Sequence, residues 1–395
     1  YGISVDGRRA ARKTAQFRFK YYNFFVRSGS SLLGWLGFQV QPAELEIILP
    51  VGISFFTFQT MSYTIDVYRG VLTPIRSFRD FALFVGFFPQ LVAGPIVRAA
   101  NFLPQLRVAP RLRDVDFRGC LMLFWIGYFK KACIADNLAT AVDPVFADPG
   151  QYGPLDVLLG SVGYSVQIYC DFSGYSDMAI AVAGLLGFKL CLNFDAPYLA
   201  ANIQEFWRRW HISLSSWLRD YLYISMGGSR TTRYRTYQNL MVTMILGGLW
   251  HGANITFVLW GAAHGFALCL HRLLNERRLL KSTRAIPGFG LLSWALTLCW
   301  VVFCFTLFRC DSIETFITLL SRFATGGTDR LAVQLWLLIF LTGVVHVLVY
   351  RYRPQLSTIF RRAPMPVFAL AIGIATSLAL FFTPISNAPF IYFQF

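Results

Sequence analysis

Predominantly apolar runs of about twenty residues recur along this chain, at 45–68, 117–139, 289–309, 331–350 and 366–384. A helix rising 1.5 Å per residue needs about that length to cross a hydrocarbon layer of ~30 Å. Backbone polar groups in hydrocarbon must be satisfied within the protein, which is what a helix achieves. Composition agrees. Of 395 residues, 55% are apolar and 17% aromatic, while only 14% are charged, against about a quarter in soluble domains. The expected fold class is all-α, a polytopic membrane protein, with the whole chain 1–395 as one domain.

The net charge is +16. A basic balance first raises nucleic acid as a partner. Here the cations fall in short clusters between the apolar runs, at 227–238, at 273–287 and at Arg351, Arg353, Arg361 and Arg362. That pattern fits cytoplasmic loops facing anionic headgroups and excludes a nucleic-acid stripe. Residues 1–31 interleave Arg8, Arg9, Arg12, Lys13, Arg18, Lys20 and Arg27 with aromatic residues, and read as a basic interfacial segment. No signal peptide is visible in the polar start, and an N-terminal piece with further spans is expected to precede it. The eight cysteines show neither CxxC nor zinc spacing, so neither disulfides nor a metal are implied.

Four segments are irregular. Residues 78–97 are apolar but carry Pro89, Gly94 and Pro95, which predicts a broken or re-entrant helix lining a cavity. Residues 155–190 are long enough for a span and a short return. Within them, 169–177 holds Asp171 and Asp177, either as a polar cavity wall or as a tight turn outside the membrane. Residues 200–226 mix Trp, Arg, His and Asp, too polar for a lipid-facing span, and are placed at the interface or inside the protein. Residues 239–272 read as a span interrupted at Gly247-Gly248.

Two of the five histidines follow a tryptophan: Trp210-His211 after the basic aromatic run Phe206, Trp207, Arg208, Arg209, and Trp250-His251 between two apolar stretches. A titratable ring at membrane depth is costly and marks a candidate site. A neutral imidazole can take a proton from a hydroxyl and return it. The competing reading is a core histidine bonded across helices for His251, and an interfacial one for His211. Trp250 and Trp260 are expected to wall the pocket. His264 reads as structural, His271 as facing headgroups, and His346 as isolated. Arg208, Arg209 and Arg219 suit a phosphate-bearing donor or plain membrane anchoring. Asp220 beside Arg219 suits a local ion pair. There is no Gly-x-Ser-x-Gly elbow, no His-Glu-x-x-His and no P-loop.

The run 205–224 (EFWRRWHISLSSWLRDYLYI) and the run 247–252 (GGLWHG) resemble signatures of the membrane-bound O-acyltransferases, in particular the bacterial alginate O-acetylation branch. Residues 88–95 (FPQLVAGP), 169–178 (YCDFSGYSDM), 193–198 (NFDAPY) and 389–395 (PFIYFQF) extend the likeness, which begins near Phe19. The chain departs from the pattern at Ser225-Met226, where a Pro-Leu pair is common, and at Asn254-Ile255. The resemblance implies helices and re-entrant segments around a central funnel or tunnel in a bacterial inner membrane. His251 would match the catalytic histidine and His211 the second motif histidine. Trp207, Arg208, Arg209, Trp210, Asp220, Trp250, Asp171 and Asp177 are the accompanying substrate-binding candidates. No cofactor is implied to be bound. Acetyl-CoA or another acyl thioester would be the donor substrate, and an exopolysaccharide the destination. An SGNH-hydrolase-like periplasmic acetyltransferase and a polysaccharide synthesis or secretion complex would be the partners. The alternatives are a transporter or flippase, and a scaffold subunit of such a complex.

Overall fold

A computed structural model describes residues 52–384 apart from 92, 109–110, 278–287 and 331–332, together with isolated positions between 22 and 38. Most of the basic segment 1–31, the start of the first apolar run at 45–51 and the ending 389–395 lie outside the described residues. All regular structure among the described residues is helical.

The first elements are α1 (Ile53–Tyr68) and α2 (Phe78–Gly86), the latter capped by the Ser77 hydroxyl accepting from the Asp80 N–H at 3.2 Å. As the prolines predict, α2 stops short: Pro89 sits in a single 3₁₀ turn, turn and bend residues follow at Leu91, Ala93 and Gly94, and 95–98 carry no regular structure before a one-turn helix at Ala99–Phe102. Then follow α3 (Phe117–Tyr128), a π-helical segment (Phe129–Ala135) and α4 (Asp136–Ala147), which together form one continuous helical run.

The core of the molecule is α5 (Pro154–Leu185). At 32 residues it is about 48 Å long and is buried along most of its length. It packs on α3, the π segment and α4. Gly127 and Gly174 bring α3 and α5 together backbone to backbone, since a Cβ on either would lie 2.6 Å from the other's carbonyl oxygen. The expected short return within 155–190 is therefore wrong, as is the extramembrane turn: 169–178 lies in mid-helix. Its carboxylates meet the two lysines of the π segment. Lys130 Nζ is 2.6 Å from Asp177, and Lys131 Nζ is 2.6 Å from Asp136 and 2.7 Å from Asp171. Two cations inside an apolar run are tolerable because each has a carboxylate partner.

Next come α6 (Ile203–Arg209) and α7 (Ile212–Leu218), then a hairpin of α8 (Arg233–His251) and α9 (Ile255–Glu276). The predicted interruption at Gly247-Gly248 is misplaced. α8 runs helical through both glycines, and Gly248 lets α9 approach, because a Cβ there would collide with the Phe257 carbonyl. The break falls at 252–254, where Asn254 Oδ1 accepts from the Thr256 N–H at 3.2 Å and starts α9.

The remaining helices are α10 (Phe289–Arg309), α11 (Ile313–Thr325), α12 (Val333–Arg362) and α13 (Met365–Phe382). α9, α10, α12 from Gln334 and α13 are long and apolar enough to cross a membrane. On α12 and α13, Phe340, Val345, Leu370 and Leu380 are exposed, as a face toward lipid requires. Arg351 and Arg353 are not in a loop as expected, because α12 continues through Pro354 to Arg362.

Candidate active site

α6 begins with Asn202 Oδ1 accepting from the Glu205 N–H at 2.9 Å and ends at Arg209. His211 then adopts φ 42° and ψ 56°, left-handed values that cost a non-glycine residue about 1–2 kcal/mol. The neighbouring segment holds this turn. The Ile212 N–H donates to the Asn193 carbonyl at 2.9 Å, and the Asp195 N–H donates to the Arg209 carbonyl at 2.9 Å. Asn193 Oδ1 accepts from the Ser213 N–H at 3.2 Å and the Ser213 hydroxyl at 2.8 Å, and its Nδ2 donates to Ser176 Oγ at 3.1 Å. Asn193 is wholly buried.

The turn delivers the His211 ring, 1% exposed, edge-on to Phe172 at 4.6 Å between ring centres. Neither of its nitrogens bonds to another described protein group. His251, the last residue of α8, is buried against Trp260 at 5.2 Å and Phe308 at 5.1 Å. Trp250 joins the two, its ring centre 4.8 Å from that of His251 and 6.4 Å from that of His211. Phe58 stacks on Trp250 at 5.1 Å and on Trp217 at 4.1 Å, which fixes the indole from the α1 side. Two imidazoles forty positions apart in sequence thus flank one indole inside an aromatic wall. Burial of this kind favours the neutral, proton-accepting form of the His211 imidazole.

The other candidates divide. Trp210 is buried against Phe194, Phe206 and Phe305. Trp207 turns toward Trp260 and His264. Arg208 is exposed. Arg209 pairs with Glu205 at 2.7 Å and donates to the Tyr350 hydroxyl at 3.1 Å, which anchors α6 to α12. Asp171 and Asp177 are engaged by the lysines, although Phe172 between them touches His211. Asp220 lines a cavity of about 370 Å³ together with Asp66, Arg98, Ser213, Arg219 and Tyr221. Ile212 also borders this cavity, so it abuts the His211 turn.

In that cavity Asp220 lies 2.7 Å from Arg98 and 2.7 Å from Arg219, while Asp66 accepts from the Tyr221 hydroxyl at 2.8 Å. Burial raises the Asp220 pKa, and hydrogen bonds from Arg219 and Arg98 outweigh it, holding the carboxyl below its ordinary value. The sequence reading missed Asn193, Asp66, Arg98 and Tyr221 as site residues. Asn193 opens a motif run and Arg98 follows the Pro95 break, but nothing local pointed either toward His211.

A family model for the membrane-bound O-acyltransferases matches residues 71–313, which holds both histidines, Asn193 and every cavity residue named above except Asp66. The chain belongs to the membrane-bound O-acyltransferase family. It is 44% identical over 316 residues to the probable alginate O-acetylase of Pseudomonas aeruginosa, covering 80% of this chain and 59% of that one. It is 46% identical over 299 residues to the probable alginate O-acetylase of Azotobacter vinelandii, covering 75% and 58%. The peptidoglycan O-acetyltransferase of Helicobacter pylori is 38% identical over 329 residues, covering 76% and 61%. The chain therefore spans about three fifths of the length of these relatives. Family membership and the four apolar helices place this protein in a membrane.

Proposed function

We propose that this protein is an O-acyltransferase of the bacterial cytoplasmic membrane. It moves an acetyl group from a cytoplasmic thioester, acetyl-CoA, toward an exopolysaccharide of the alginate or cellulose kind. The single observation that carries this reading is the pair of buried imidazoles on either side of Trp250, in a chain similar to probable alginate O-acetylases.

In this reading His251 accepts the proton of the acceptor hydroxyl as its oxygen attacks the thioester carbonyl carbon. The new C–O bond forms, the C–S bond breaks, and the imidazolium returns the proton to the departing sulfur. His211 orients the donor or shares the proton transfer. Trp207, Trp210 and Trp250 keep water from the thioester. Arg219, largely exposed beside the cavity, suits a donor phosphate that takes the place of Asp220 on it, because guanidinium binds phosphate in bidentate fashion. The acetyl group reaches sugar directly or through a periplasmic SGNH-hydrolase-like partner of a polysaccharide secretion complex.

The test supplies labelled acetyl-CoA to the cytoplasmic side of membrane vesicles containing the protein, at matched expression of wild type and His251→Ala. Label reaching an ester on the other side only with wild type supports the reading. Transfer by His251→Ala at the wild-type rate removes His251 from the mechanism. Flux of an intact substrate without ester formation makes the protein a transporter.

A further inference from the structure

His264 read as structural in the sequence, yet the structure gives it no structural bond. It is 0% exposed, and among the described residues neither ring nitrogen has a hydrogen-bond partner. It is not alone. Thr256, Trp260 and His264 follow one another at four-residue intervals on one face of α9, so they form a single stripe. Thr256 Oγ1 and Trp260 Nε1 are likewise buried without a partner. From α6, Trp207 places its ring 5.0 Å from His264 and 5.8 Å from Trp260, and its buried Nε1 is also unpartnered.

Buried polar groups are almost always bonded. Each one left unmade costs about 1–3 kcal/mol, so three mutually touching residues in that state, Trp207, Trp260 and His264, are a poor way to fill a core. Leucine or phenylalanine would fill it better. The arrangement makes sense if a guest supplies the missing partners, and the donor and acceptor inventory restricts that guest. Indole N–H groups only donate, whereas a neutral imidazole donates at one nitrogen and accepts at the other. The complement is an oxygen that accepts from the indoles and donates to the imidazole, which describes a hydroxyl. A carbonyl oxygen would leave the imidazole acceptor unmatched. A phosphate would lose its hydration against the rings of Phe206, Trp207 and Trp260 without gaining a counter-charge there.

The location fits. Trp260 lies 4.8 Å from His264 and 5.2 Å from His251 between ring centres, so one indole separates this stripe from the imidazole assigned as base. We propose that Trp260 and His264, with Trp207, form a second, uncharged binding site that holds a hydroxyl one indole away from His251, contributed by the acceptor or by a bound water. This rests on the O-acyltransfer reading given above.

The test compares His264→Leu, which matches the imidazole closely in size without its nitrogens, with His264→Gln, which keeps a donor and an acceptor. Thermal unfolding in detergent is measured with label transfer from acetyl-CoA to a soluble oligosaccharide acceptor. His264→Leu is expected to melt no lower than wild type and to transfer at least tenfold more slowly, with His264→Gln recovering part of the rate. A raised acceptor KM at unchanged acetyl-CoA KM assigns the guest to the acceptor. A lower kcat with both KM values unchanged assigns it to water. Transfer by His264→Leu within twofold of wild type overturns the proposal. So does a lower melting temperature, or failure to fold, for His264→Leu, because then the imidazole already has structural partners. If wild type itself transfers no label, O-acyltransfer fails instead, and the melting comparison still decides whether His264 is bonded within the fold.

Discussion

Removing the Asn193 side chain is the sharpest test of how the site is held. Asn193→Ala deletes three side-chain hydrogen bonds, at 2.8, 3.1 and 3.2 Å, all buried. It leaves the Ser213 N–H without its Oδ1 acceptor and Ser176 Oγ without its Nδ2 donor, on residues 4% and 1% exposed. At about 1–3 kcal/mol for each of the two stranded groups, the fold should lose on the order of 2–6 kcal/mol. The Asn193 amide also opposes the left-handed strain at His211, about 1–2 kcal/mol, so without it only the two backbone hydrogen bonds, from Ile212 N–H to the Asn193 carbonyl and from Asp195 N–H to the Arg209 carbonyl, hold the turn. Misplacing a reacting group by about 1 Å can cost a hundredfold in rate. Label transfer from acetyl-CoA is therefore expected to fall at least tenfold in Asn193→Ala at matched expression. The decisive assay is a double-mutant cycle with His211→Ala. If Asn193 acts through His211, adding Asn193→Ala to His211→Ala slows transfer no further. Multiplying effects, or an unchanged rate in the single variant, would refute this account of the clamp.

Lys131→Met leaves Asp136 and Asp171 buried without their shared cation, and should destabilise the protein by about 3–5 kcal/mol. Unfolding midpoints in detergent check this, and a loss under about 1 kcal/mol would mean that the carboxylates do not depend on that lysine. Asp220 has a folded pKa below the ordinary carboxyl value, so its stabilisation is present above that value, about 3.9, and disappears as pH falls through the lower folded one. The stability gap between wild type and Asp220→Asn should be full at neutral pH and close in acid below pH ~4. A gap that is constant across this range contradicts the pairing with Arg98 and Arg219.

Much of the site could be read along the chain, but unevenly. Trp250-His251 stood out because polar rings are rare in apolar runs and Trp210-His211 because it repeats the pair after a basic aromatic run, and the helix before Pro89 stopped short as the proline predicts. Gly247-Gly248 misled: a glycine pair looks the same whether it breaks a helix or admits a neighbour, and only the position of the Phe257 carbonyl distinguishes the two. Asp171 and Asp177 read as a polar cavity wall or a tight turn because their partners, Lys131 and Lys130, lie 40 or more positions earlier. Arg351 and Arg353 looked like loop residues, since a charge cluster ends a span as readily in a helix as outside it.

Run length and charge deficit were enough to dictate a helical protein in lipid, because an apolar run of about twenty residues has the length of a spanning helix, which satisfies its own backbone polar groups, and is about twice that of a barrel strand. They carried no information about which residues meet. Trp250 between His211 and His251, Asn193 bracing the turn, and Arg98 brought to Asp220 all join elements distant along the chain. Such contacts depend on how helices cross and how closely their glycines allow them to approach. Those are properties of the packed assembly that no single segment contains.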